Sequence, residues 1–198
     1  MSHIAVRVSL IAIMSAMSLA ACSEKTNPEA SAVVVAPEPA VAASGAVIPA
    51  SSEAPDAATK VLIEDMTHWN MYAIDAGNAA LARSQNAAVK AFAQKTVDDY
   101  TALSKELEPL ATSAGIMTPL AHDADNMKKL DALTTATAAG FDAAYVSQQE
   151  TELNAAAVRD KGYIDTGAND TIKTFARKRA DRVAAQLASL ATLKKSVK

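Results

Sequence analysis

Val89-Lys90-Ala91-Phe92-Ala93-Gln94-Lys95 decides the fold of this chain. Its apolar residues recur at steps of three and four, the spacing of one face of an α-helix. The stretch has an echo in Ile172-Lys173-Thr174-Phe175-Ala176-Arg177-Lys178, and Asp98 and Asp181 follow at matching offsets. Each copy opens the second helix of a pair, which predicts a duplicated hairpin with quasi-twofold symmetry.

The flanking segments carry the same period. Leu62, Met66, Trp69, Ala73, Ala76 and Ala80 form one stripe, and Val89, Phe92, Thr96, Leu103, Leu107 and Leu110 a second. Ile172, Phe175, Val183, Leu187, Leu190 and Leu193 form another near the end of the chain. Between them, Phe141 to about Tyr163 shows a weaker stripe of Phe141, Tyr145, Gln148 and Ala156. A shorter helix is expected over 123–137. Asn86 caps the second helix by accepting an amide hydrogen bond, and Gly115 ends it in a left-handed conformation. Thr118-Pro119 reads as a cap followed by a first-turn proline. Asn169 or Asp170 starts the last helix, whose negative end is matched by Lys194, Lys195 and Lys198. Pro109 is expected to kink the second helix or stop it early. The short break at 84–86 forces antiparallel neighbours. The predicted fold is all-α: a ferritin-like antiparallel four-helix bundle, with a short extra helix between two helical hairpins.

Composition agrees. Alanine, the best helix former, makes up roughly a quarter of the 198 residues, and aromatics only 4%. The core is therefore expected to be thin, with closely approaching helices. A net charge of −3, with basic and acidic residues interspersed, argues against nucleic-acid binding.

Upstream of the helices the texture differs. Pro28, Pro37, Pro39, Pro49 and Pro55 punctuate an Ala- and Val-rich stretch in which no regular element is expected. Before it, a sparse basic start (His3, Arg7) and the apolar run Val8 to Leu19 precede Leu19-Ala20-Ala21-Cys22. That is the layout of an export signal, too short to span a bilayer. The small residues before the single cysteine resemble the lipobox of bacterial lipoproteins. The resemblance implies acylation at Cys22 and cleavage before it, and Ser23 leans towards the outer membrane. The expected organisation is a signal peptide over 1–21, a lipidated cysteine and tether over 22–55, and a bundle over 56–198. Fully extended, the tether reaches on the order of 100 Å. With its sole cysteine acylated, the chain has no intramolecular disulfide.

The run Val89 to Ala93, then Val97-Asp98-Asp99-Tyr100, resembles a bacterial family of exported ferritin-like proteins with a domain of unknown function, often labelled predicted outer-membrane proteins. Gly115-Ile116 followed by Pro119 fits the family's inter-hairpin loop. Phe141-Asp142-Ala143-Ala144-Tyr145 matches its FDxxY motif, and Phe175-Ala176 its last helix. The resemblance covers about Val61 to Leu193. It also implies histidines where this chain has Tyr100, Leu153 and Gln186.

No Glu-x-x-His pair of the di-metal ferritin-like kind occurs in the sequence. Asp65 and His68 have ligand spacing on one helix, but two ligands do not make a site, and His122 falls in a loop without partners. The candidate polar layer comprises Asp75, Asp99, Tyr100, Tyr145 and Glu152, with Asp98 and Glu150 as further carboxylates. Lys173, Arg177, Lys178, Arg179 and Arg182 make the last helix basic. Arg177, Arg179 and Arg182 are the candidate docking surface for anionic lipid or cell-wall polymer. No catalytic residue, metal site or cofactor is expected beyond the lipid at Cys22. The expected function is a non-enzymatic, lipid-anchored envelope protein at the periplasmic face of the outer membrane, partnered by an envelope protein or polymer. The alternatives are a metal-binding or redox protein on the ferritin-like scaffold and a binder of small molecules between the helices.

Overall fold

The computed structural model describes residues 55–197. The expected signal peptide, Cys22 and the tether up to residue 54 lie outside the described residues. Five helices make up the rest: α1 (Ala57–Arg83), α2 (Ala87–Ser113), α3 (Ala124–Thr135), α4 (Ala138–Thr166) and α5 (Asp170–Leu193). The fold is the all-α, ferritin-like four-helix bundle, with α3 as the short extra helix.

Each helix starts where a side chain can satisfy its free amides. Asp56 accepts from the amide of Thr59, Asn86 from Ala88 and Val89, Asp123 from Asn126, Thr137 from Gly140 and Asn169 from Ile172. α2 ends in a Schellman turn. The Gly115 amide donates to the Thr112 carbonyl and the Ile116 amide to that of Ala111, with Gly115 at φ 70°. Two local expectations need correction. Pro109 neither stops nor shortens α2, which runs on to Ser113. Pro109 and Lys105 are both exposed, so the carbonyl that loses its helical donor faces water. Thr118-Pro119 starts no helix; it lies in the loop, and Asp123 caps α3 instead.

The hairpins α1–α2 and α4–α5 pack with every neighbour antiparallel. Thr59 of α1 bonds Tyr163 of α4, whereas Tyr72 further along α1 bonds Gln148. Across α2 and α5, Glu106 meets Lys178 while Tyr100 meets Gln186. α2 and α4 therefore point the same way. The connection between them runs back along α1, from Asn126 at the His68 carbonyl to Arg83 at the end of α3. Arg83 donates to the carbonyls of Thr134 (2.9 Å) and Ala136 (2.6 Å), and its guanidinium lies 4.7 Å above the Phe141 ring. A cation thus closes the negative end of α3.

The echo extends through both hairpins. At a constant separation of 83 residues, Leu62 and Tyr145, Ile63 and Val146, Met66 and Gln149, and Ala73 and Ala156 are all buried. The same holds for Val89 and Ile172, Phe92 and Phe175, and Leu107 and Leu190. The caps Asn86 and Asn169 also correspond. On α4 the buried position is Gln149 rather than the expected Gln148, because the stripe steps by four from Tyr145 to Gln149 to Leu153. Gln148 is half-buried and bonds Tyr72 and the Lys129 carbonyl.

The halves differ most where Gly77 stands opposite Asp160 in this register. Gly77 lets α1 approach α2 so closely that a β-carbon there would lie 2.7 Å from Val97 Cγ2 and 3.2 Å from the Ala93 carbonyl oxygen. We expect Gly77→Val to destabilise the domain by about 2 kcal/mol through overpacking. Gly162 is the control: it lies on the exposed side of α4, where a β-carbon would meet nothing within 4 Å. Gly162→Ala should stabilise by about 0.8 kcal/mol from helix propensity. Thermal denaturation of the two variants beside the parent reads both signs.

Candidate functional site

The polar residues of the core come from all four long helices. Tyr100 on α2 is fully buried and donates its hydroxyl to Gln186 Oε1 on α5 at 3.0 Å. Trp69 on α1 meets the Tyr100 ring edge-on, 5.5 Å between centroids. Burial pushes the Tyr100 hydroxyl up to about 12, against the pull of the Arg179 charge. Tyr145 on α4 is equally buried; desolvation raises its pKa, and its hydroxyl has no hydrogen-bond partner among the described residues. Tyr72 donates to Gln148 Oε1 at 2.6 Å, and its pKa is raised by burial first and by the Glu152 charge second. These phenols stay neutral at any physiological pH.

Of the candidate layer, Tyr100, Tyr145 and Asp99 are buried, while Asp75 and Glu152 are not. Asp75 is exposed and pairs with His122 at 2.8 Å, so His122 has a partner after all. Asp99 is buried, turned not to the tyrosines but to Lys95 (2.7 Å) and Arg182 (2.8 Å). Glu152 binds Lys129 of α3 at 2.7 Å. Glu150 is paired with Lys194 and Asp98 accepts from Gln94. Each carboxylate lies where a cation or amide can meet it, because burial of an unpaired charge is costly. His68 lies 3.9 Å from Asp123, not in a site with Asp65. Among the described residues, no three side chains of His, Cys, Asp or Glu converge in a way that could hold a metal ion.

The docking surface is corrected too. Arg177 and Arg182 are exposed, but Arg179 is 1% exposed and paired with Asp160, itself 0% exposed. Residues two apart on a helix point roughly 200° apart, so Arg177 and Arg179 cannot share a face. Arg182 is engaged by Asp99, and Lys178 by Glu106 at 2.6 Å. The basic half of α5 is thus largely neutralised by α2 and α4.

The Asp160–Arg179 pair is the charged centre of the second hairpin. Its positions match Gly77 and Thr96 of the first. Burial raises the Asp160 pKa, outweighing the attraction of Arg179. Asp160 Oδ2 and Arg179 Nε and Nη2 find no further partner among the described residues. The signal for this pair is present in the stripe: Phe175, Arg179 and Val183 step by four, and Asp160 lies between Ala156 and Tyr163. The three positions where histidines were implied, Tyr100, Leu153 and Gln186, are all buried.

Arg179→Met alone should cost about 3–5 kcal/mol, because Asp160 is left buried without its cation. Adding Asp160→Leu should return stability to the parent value or above it. The raised Asp160 pKa sets the pH dependence. The folded parent takes up its proton more readily than the unfolded chain, so this group's contribution grows as pH falls and is lost as pH rises. The advantage of the double variant should therefore be greatest near neutrality and shrink in acid, measured by denaturant titration.

Residues 45–193 match the model of a domain of unknown function, DUF4142. The crystal structure of a DUF305 fragment from Deinococcus radiodurans is similar, with a TM-score of 0.63 at 12% identity over 71% of this chain and 97% of that one. That likeness concerns the fold alone. No curated protein matches the chain. With three quarters of its length inside the match, the chain belongs to the DUF4142 family.

Proposed function

We propose that the chain is a non-enzymatic, lipid-anchored protein of the cell envelope. In this reading residues 1–21 export it, Cys22 carries the acyl chains, and the bundle serves as a periplasmic binding or spacing module at the outer membrane. The observation that carries the proposal is the lone cysteine closing Leu19-Ala20-Ala21-Cys22 after an apolar run. Several acyl chains hold a protein far more firmly than one, at about 0.8 kcal/mol per buried methylene. Among the described residues no helix is long and apolar enough to cross a membrane, so the attachment proposed here rests on Cys22.

The bundle suits a module that binds or spaces. Three of its carboxylates are held by cations: Asp160 by Arg179, Asp99 by Lys95 and Arg182, Glu152 by Lys129. Partners of this module are an envelope protein or a cell-wall polymer, not nucleic acid.

Cys22→Ser should abolish acylation and processing, leaving an uncleaved or soluble form. Mass spectrometry of the amino terminus and membrane fractionation read the result. A mature amino terminus that is bare in the parent, or fractionation unchanged in the variant, contradicts the anchor.

A further inference from the structure

Met117 and Leu120 stand in water, 90% and 96% exposed, in the loop that leaves α2. Folding hides their neighbour Ile116 and leaves these two uncovered. No charged residue occurs from Pro109 to Ala121. Thr112, Ser113, Gly115 and Ala121 are exposed beside them, so the end of α2 presents an uncharged surface carrying two large apolar groups. Apolar surface gathered in this way marks a place where a partner or a membrane sits.

The loop lies at the end of the bundle to which the chain from Cys22 leads. α1 and α2 are antiparallel, so Ser113 at the end of α2 lies by the start of α1, where that chain joins the bundle. Met117 adjoins Thr112 and Gly115 at this end. Leu120 lies over the α1–α2 edge, beside Thr67 and Met71. Thr67 is about 15 Å from the start of α1, at roughly 1.5 Å per helical residue. A flat surface touches both apolar side chains when the bundle leans on that edge. Lys60 and Glu64 pair at 3.7 Å on the same face of α1 as Thr67, and the exposed Asp56 and Glu108 add negative charge. An anionic surface is therefore repelled, and the lipid that fits is zwitterionic.

We propose that the loop Gly115 to Ala121 rests on the bilayer that carries the anchor, with Met117 and Leu120 among the headgroups of zwitterionic lipid. This deepens the function proposed above and rests on acylation of Cys22. Two apolar side chains hold a free protein on a membrane only weakly. The anchor makes the encounter intramolecular, at an effective concentration that a flexible link keeps high. The tether then sets how far the bundle can travel, and this contact sets where it stays.

The full chain, acylated and reconstituted in vesicles of phosphatidylcholine and phosphatidylethanolamine, carries a fluorophore at Ser113→Cys or at Ser147→Cys. Both serines are exposed, and the second lies on α4 about 28 Å from its end. Both labels leave Met117 and Leu120 in place. Lipid bearing a nitroxide in its headgroup should quench the Ser113 label about threefold more than the Ser147 label, since a group at the interface lies within about 10 Å of the headgroups. The difference should persist at high salt, because no ion pair carries it. Met117→Asp with Leu120→Asp should bring the Ser113 label down to the Ser147 level while the chain still sediments with the vesicles. Equal quenching at the two labels of the parent, or a Ser113 label still quenched in the double variant, overturns the proposal. So does a difference that salt abolishes, which points to charge, or a Ser113 label shielded without vesicles at twice the monomer mass, which assigns the loop to a second copy. A chain that sediments with both labels equally quenched keeps its anchor and loses this contact. A bare Cys22 in the mass spectrum overturns both.

Discussion

α2 and α4 run in the same direction, and the chain between them must travel back along the bundle. That constraint shapes everything outside the four long helices. It calls for a connection of more than twenty residues, and a connection of that length needs its own structure to be ordered. Gly115 turns the chain at the end of α2, Asp123 restarts a helix, and Arg83 holds the far end of α3 by its carbonyls. Further polar contacts fasten the connection to α1: His122 with Asp75, and Asn126 with the His68 carbonyl.

Within the bundle the two hairpins solve the same packing problem with different chemistry. The first uses Gly77 to bring backbones together, and the second places Asp160 and Arg179 at the positions matching Gly77 and Thr96. A buried ion pair contributes little net stability once desolvation is counted. Its geometry is nonetheless demanding, because each charge tolerates only the partner that neutralises it. The pair therefore marks the two hairpins as different in a sequence that otherwise nearly repeats itself.

Much of the fold is legible in the sequence because helical burial has a period, and alanine-rich segments keep it cleanly. The stripes on α1 and α5, the caps at Asn86 and Asn169 and the turn at Gly115 follow from local rules. Pro109 departs from its local rule because its cost depends on whether the freed carbonyl meets water, a tertiary fact. Thr118-Pro119 departs because a cap needs a helix behind it, and the next residues pass over α1 instead. The polar candidates are harder to read. Charge type places Arg179 on the surface, while its position in the stripe places it inside; burial follows the stripe. Asp75, Asp99 and Glu152 group by residue type, but each finds a cation of its own, and only Asp99 does so inside the protein.

Each hairpin closes over a link of three residues, Ser84 to Asn86 in one and Gly167 to Asn169 in the other. The tightest packing, α1 on α2 and α4 on α5, thus joins neighbours in sequence. Chains rich in such local contacts fold quickly, because little loop entropy is lost before contacts form. The short links thus favour closure of each hairpin over pairings between the halves. The segment that spans from one half to the other closes the longest loop and carries the largest loop-entropy cost.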